Sequence, residues 1–286
     1  MLVIVGVLVV VGCVLGGYAM HHGPMHVLNQ PSEFIIIFGA AIGATIVMSP
    51  LHVLKALLKA LMATLKPSKV NQKDYLKLLV TMFKLFKVAA YQGANGLEPH
   101  VERPHESSIV SENKMLINDH HALDFLCDTL KVVIIGGVPD YQIAELTDLS
   151  LDSHHEEEHQ PINVLTKVAD SMPGLGIVAA VLGIIITMQN INGSPEQIGQ
   201  SVGAALVGTF VGVLFAYGFI GPLAGKMEFN ALDGHYKLKC LQGCVLSYAR
   251  GFHPLVSVEF GRRSLPSHLR PSFQDLESAC REEGKS

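Results

Sequence analysis

Few side chains in this 286-residue chain have the type and spacing that chemistry needs. Cys240 and Cys244 stand one helical turn apart, without a second cysteine pair or a His-x-x-His motif. A zinc site needs about four converging ligands, so the pair reads, with Cys13, Cys127 and Cys280, as reduced cytosolic thiols. His155 and His159 are four apart beside Glu156, Glu157 and Glu158. That spacing can present two metal ligands on one helix face, but it is equally the polar end of an exposed helix. Pro173 and Pro222 flank an apolar hairpin at what the sequence suggests is matching depth. Each lacks a backbone donor and permits bending, so they serve as helix ends or as hinges at the mouth of a polar pathway.

The elements that must position these residues are apolar helices. Only 16% of residues are charged and 49% are apolar, the composition of a membrane protein. The net charge of −4 gives no footprint for nucleic acid. Residues 1–20 carry no charged side chain, as a bilayer-spanning helix of about 20 residues requires. Val10-Val11-Gly12-Cys13 imitates a lipoprotein cleavage box, but no Lys or Arg precedes the apolar run, so a retained span is favoured over a cleaved signal peptide. Further spans are expected at 34–54, with Pro50 near its inner end, at 171–191 and at 200–222. Residues 21–33 and 192–199 connect them as short loops on one face.

Charge sets the orientation. Of the 21 Lys and Arg, none lies in residues 1–54 or 168–225. The excess of basic residues on the cytoplasmic side therefore places 55–170, 223–286 and both termini in the cytoplasm, and the two short loops in the periplasm. The expected fold is an all-α integral membrane protein. It has four transmembrane helices and a helical cytoplasmic domain formed by the loop between spans two and three and by the C-terminal helix extension and tail.

Lys55, Lys59, Lys66, Lys69, Lys73, Lys77, Lys84 and Lys87 alternate with Leu76, Leu79, Val80 and Phe83 at helical spacing, so 55–87 reads as amphipathic helix. Its basic face is solvated and attracted to anionic lipid where it nears the membrane, or it is a partner surface. Gly93 and Gly96 interrupt the pattern before Leu97-Glu98-Pro99. A helical stretch over about 113–135 ends at Gly136-Gly137. Lys226–Arg250 prolongs the fourth span.

The spans display no carboxylate or Lys, and no His beyond His52 at the cytoplasmic margin, although groups of that kind mark proton and ion routes. Glu33 is expected at the outer edge of the second span, which leaves the chain without a buried proton-binding carboxylate of its own. Spans three and four carry small residues instead: Gly174, Gly176, Ala179, Ala180 and Gly183 on one, and Gly199, Gly203, Ala205, Gly208, Thr209 and Gly212 on the other. Small residues let helix backbones approach closely in lipid, within one subunit or between subunits.

The stretch from Asp170-Ser171-Met172-Pro173-Gly174 through Ala179-Ala180-Val181-Leu182-Gly183 resembles the third-span signature of the motility protein A family, subunits of the flagellar motor stator. So do Ala205-Leu206-Val207-Gly208-Thr209-Phe210-Val211-Gly212, Ile220-Gly221-Pro222-Leu223-Ala224, Val258-Glu259-Phe260-Gly261-Arg262-Arg263 and Arg270-Pro271-Ser272-Phe273. The order and spacing of these motifs cover almost the whole chain. The resemblance implies a multi-pass protein of the bacterial inner membrane, not an enzyme and without a cofactor. Five copies would form a ring around a dimer of motility protein B, whose single helix supplies a protonatable Asp and which anchors to peptidoglycan. Ion passage would turn the ring, and its cytoplasmic domain would drive the flagellar rotor switch protein.

Carried over residue by residue, Pro173 and Pro222 fall on the family's two functional prolines and Thr209 on a span-four hydroxyl near the ion path. Glu98 falls on the acidic rotor contact. Where the family places a basic residue, this chain has Ala90, and Lys84 or Lys87 would take over that contact. Ala180 stands where sodium-driven relatives carry threonine. A hard cation needs oxygen ligands and a methyl offers none, so the expected coupling ion is the proton.

The competing reading is the TolQ/ExbB type of energiser, which shares the glycine-rich last two spans but usually has three spans and lacks the Arg-Pro-Ser-Phe tail. A substrate transporter would need polar groups at mid-membrane and more spans. An intramembrane enzyme would need a nucleophile or metal ligands in the spans, and Cys13 alone does not suffice.

Overall fold

The computed structural model of the chain describes residues 2–65, 70–189 and 194–285. Lys66 and Lys69 of the lysine series, the last residues expected in the third span and the first of the loop after it lie outside them. The described residues are all helical in their regular structure, and fall into two units. One comprises residues 1–67 and 157–230, the other 68–156 and 231–286. Four helical stretches are long and apolar enough to cross a membrane by length and composition: Leu2–Met20, Met25–Met48, Asp140–Gln189 and Pro195–Ala249.

The first unit contains α1 (Leu2–Met20), α2 (Pro31–Met48) and α3 (Leu51–Thr64). It also holds residues 157–189 of α8 (Asp140–Gln189), all of α9 (Pro195–Phe215) and the start of α10 (Gly221–Ala249). Pro50 does not sit inside a helix: α2 stops at Met48, and Pro50 is the extended N-cap of α3. The expected single span over 34–54 is therefore interrupted, because the proline ring excludes helical geometry from the residue before it, Ser49.

On α2 the buried residues are Glu33, Ile37 and Ala41, one every fourth position. Ile37 and Ala41 pack with Met172, Ala179, Val207 and Val211 in a small apolar core. Phe38 meets Phe215 edge to face, ring centres 4.7 Å apart, the offset that aromatic quadrupoles favour. α1 buries no residue at all. Ile35, Ile42, Ile46, Ile177 and Ile186 are also exposed. So much apolar surface suits lipid rather than water.

The second unit packs its helices around a larger apolar core. The amphipathic stretch expected over 55–87 is two helices: α3, and α4 (Gln72–Gln92), which Asn71 opens with a reciprocal capping box to Asp74. α4 supplies Tyr75, Leu78, Leu79, Met82 and Phe86 to the core. Around it lie α5 (Glu98–Glu102), α6 (Lys114–Ile117) and α7 (His120–Ile135). α11 (Pro254–Ser264) and α12 (Phe273–Lys285) complete the unit with the rest of α8 and α10. Gly136 and Gly137 take φ of 70° and 76°, ending α7 in a conformation that other residues rarely adopt.

Charged contacts tie elements of this unit together. Asp119 caps α7 through Oδ1, which accepts from the Ala122 amide, while Oδ2 accepts from Lys237 Nζ. Partial burial pushes the Asp119 carboxyl up, but the Lys237 hydrogen bond and charge outweigh it and hold the carboxyl below its ordinary range. Glu259 accepts from Arg262 Nε at 2.6 Å and from Arg263 Nε at 2.7 Å, while Arg262 Nη1 also donates to the Pro271 carbonyl at 2.9 Å. The Arg-Pro-Ser-Phe tail is thus pinned by Val-Glu-Phe-Gly-Arg-Arg.

Candidate functional site

The small residues of spans three and four meet in a seam. A Cβ on Gly176 of α8 would lie 2.7 Å from the Gly208 carbonyl oxygen and 3.2 Å from the Thr209 Cα. One on Gly212 would lie 2.5 Å from the Met172 carbonyl oxygen, and one on Gly183 2.8 Å from the Ala205 Cβ. Between Met172 and Gly183 the two backbones come so close at Gly176, Gly183, Gly208 and Gly212 that no side chain fits at those positions, the packing that replaces the hydrophobic effect in lipid.

The seam gathers three of the four ion-path candidates. Ala180 is buried, and its amide nitrogen lies 3.1 Å from where a Cβ of Gly208 would stand. Thr209, half-buried, is the next residue on α9. Pro173 follows Met172 at the seam's end. Pro222 is not with them. Gly212 is abreast of Met172, and Pro222 is ten residues further along a continuous helix, about 15 Å away at 1.5 Å per residue. The matching depth expected of the two prolines does not hold.

Neither proline ends a helix. Pro173 lies inside α8, as does Pro161. Before Pro222, residues 216–220 form a π-helical segment in which the Gly221 amide donates to the Ala216 carbonyl. Widening the turn by one residue is how a helix accommodates a ring that lacks an N–H. Gly221 is required there, since a Cβ would lie 2.9 Å from the Ala216 oxygen.

Glu33 lies in the first turn of α2, at the end of the span where the sequence placed it, but it is buried there: only 7% of it is exposed. Oε2 would be 2.6 Å from a Cβ on Gly208 and Oε1 3.6 Å from one on Gly183. The seam therefore carries a buried carboxyl group of this chain. The stripe Glu33, Ile37, Ala41 could have revealed it in the sequence, since positions four apart share a helix face.

In the second unit the rotor-contact candidates are divided. Glu98 is exposed and opens α5, beside Arg103, whose guanidinium pairs with Glu106 at 3.5 Å. Lys84 and Lys87 instead turn to α12. Lys84 Nζ lies 3.0 Å from Glu283 Oε1 and 3.8 Å from Glu112 Oε2, and Lys87 Nζ donates to the Glu283 backbone carbonyl at 3.1 Å. Ala90 is exposed on α4. Cys240 and Cys244 are wholly buried. The His155 ring lies 5.4 Å from that of His235. Among the described residues no three His, Cys, Asp or Glu come together as metal ligands.

Residues 4–93 match the motility protein A N-terminal family and residues 118–231 the MotA/TolQ/ExbB proton channel family. Motility protein A of Salmonella typhimurium and that of Escherichia coli are each 38% identical over 281 residues, 98% of this chain and 95% of theirs. Chemotaxis protein LafT of Vibrio parahaemolyticus is 34% identical over 272 residues, 95% of each chain. In fold, C. jejuni MotAB superposes with a TM-score of 0.77 at 19% identity, covering 94% of this chain and 98% of that one. The flagellar MotAB stator complex from Bacillus subtilis gives 0.74 at 19%, covering 96% and 98%.

Proposed function

This chain belongs to the motility protein A family, and we propose that it is the A subunit of a flagellar motor stator, conducting protons together with a B subunit. The observation that carries the reading is the seam of α8 and α9, whose small residues coincide with the family's third- and fourth-span motifs, with Pro173 at its end. The match of residues 4–93 to the motility protein A N-terminal family favours the stator over a TolQ/ExbB-type energiser.

The chain lies in the inner membrane with four spans: α1, α2, the apolar end of α8, and α9 with its π segment. Both termini and the 68–156/231–286 unit are cytoplasmic, as the distribution of Lys and Arg requires. Five copies ring a B-subunit dimer, whose protonatable Asp faces spans three and four. Ala180 presents a methyl to that path and no oxygen for a sodium ion, while Thr209 supplies a hydroxyl. Pro173 and the π segment before Pro222 allow the two long helices to bend, so that a charge change in the membrane is passed along α8 and α10 as rotation. Glu98 meets the rotor switch protein. Lys84 and Lys87 first hold α12 in place, and any rotor contact of theirs is added to that role.

The test is complementation. Expressed with its B subunit in a strain lacking stators, the chain restores swimming that persists without sodium and stops with a protonophore. Strict sodium dependence at fixed pH sinks proton coupling. Failure to co-purify with a peptidoglycan-binding partner sinks the stator reading.

A further inference from the structure

We propose that Glu33 is a second proton-binding site, contributed by this chain itself and separate from any carboxylate of a partner. The inference rests on the proton-stator reading for its role, but on the structure for its existence.

Three observations point to it. First, Glu33 is more than nine-tenths buried, and its Oε2 has no hydrogen-bond donor among the described residues. A buried carboxyl oxygen in that position regains its lost solvation only from a proton, a water or an incoming donor. Second, the space it occupies exists because Gly208 has no side chain: a Cβ there would meet Oε2 at 2.6 Å and the Ala180 amide nitrogen at 3.1 Å. The carboxyl group and the position that distinguishes coupling ions thus flank the same glycine. Third, the carboxyl group reaches well along α9: from the first turn of α2 it meets Gly208, about 20 Å along the helix from Pro195.

Nothing on the neighbouring elements competes for the site. The titratable residue of α9 is Glu196 and that of the 3-10 turn Met25–Leu28 is His26, and both are exposed. The membrane end of α8 from Met172 to Gln189 carries no titratable side chain. An intramembrane carboxyl facing a helix seam rather than lipid is where functional acids are found. The step is a simple exchange: a hydronium gives its proton to the Glu33 carboxylate, leaving water and a neutral carboxyl, and the reverse step releases the proton to the next water.

The experiment uses the full complex with its B subunit in a stator-less strain. Bead rotation is followed against external pH for wild type, Glu33→Gln and Glu33→Asp at matched membrane levels. Glu33→Gln is expected to slow rotation by about a hundred-fold, the smaller end of what a positioned proton-transfer group contributes. It also flattens the pH profile, and Glu33→Asp restores part of both. Wild-type speed and pH profile in Glu33→Gln overturn the proposal.

Should Glu33→Gln not accumulate, infrared spectroscopy of the purified complex with isotope-labelled glutamate decides. A carboxyl C=O stretch that titrates in wild type and moves in Glu33→Asp supports the site; its absence overturns it. The sodium and protonophore arms on wild type fail independently, so loss of the proton reading is distinguishable from loss of Glu33 as a proton site.

Discussion

Gly176 and Gly212 meet across α8 and α9 so closely that a Cβ on Gly212 would stand 2.9 Å from the Gly176 Cα. No flexible side chain can yield there, because the opposing atoms are backbone. Gly212→Ala is therefore expected to push the helices apart at a cost of about 1–3 kcal/mol, the range for overpacking a filled site. Swimming is lost with reduced recovery of complex from membranes, whereas Gly174→Ala, which meets open space, leaves both unchanged.

Pro222→Ala returns an N–H to the helix and removes the reason for the π segment at 216–220. Closing that segment into α-helix shifts the register of everything beyond it by one residue, about 100° around the axis. The chain is expected to reach the membrane at normal levels but not to support rotation. Hydrogen exchange at residues 216–222 would slow, and unchanged exchange would count against the π segment being proline-driven.

Asp119 both caps α7 and receives Lys237 from α10. Asp119→Ala removes a cap worth about 1 kcal/mol and strands a largely buried ammonium. The loss is expected to be about 2–4 kcal/mol, seen as a lower thermal midpoint and earlier proteolysis of the 68–156/231–286 unit. Asp119→Asn keeps the cap and costs less.

Acid should weaken the same unit in two stages. Burial holds His100 below its ordinary value of 6.5, so the unfolded chain binds its proton first. Stability is full above about 6.5 and falls as pH drops through the folded value. Glu259, held low by Arg262, and Asp119, held low by Lys237 against its burial, contribute above their ordinary 4.5 and 3.8 and are lost as pH falls through lower values. Thermal midpoints measured against pH should decline first below neutrality and again in the carboxylate range. His100→Gln reduces the first decline only, and the remainder belongs to His235, which burial and the neighbouring Lys239 also hold below its ordinary value.

Lys84 separates packing from rotor contact. Lys84→Glu faces Glu283 and Glu112 with like charge, and loosening of α12 is the expected result. The Lys84→Glu, Glu283→Lys double variant re-forms the pair. If it swims like wild type, Lys84 acts through α12; if it stays immotile while stable, the lysine itself meets the rotor.

Composition and pattern alone carried the membrane character, the expected orientation and the family motifs. These depend on local quantities: runs of apolar residues, the side on which Lys and Arg accumulate, and the order of short signatures. Helix interruptions were less legible. Pro50 divides α2 from α3 and Asn71 opens α4, whereas Pro161, Pro173 and Pro222 lie in continuous helices. A proline removes one donor wherever it stands, and only the surrounding packing decides whether the helix stops, bends or widens. The burial of Glu33 also belonged to the tertiary structure. In sequence it begins an apolar helix; in the fold the absent side chain of Gly208, 175 residues away, makes the space in which its carboxyl group is buried.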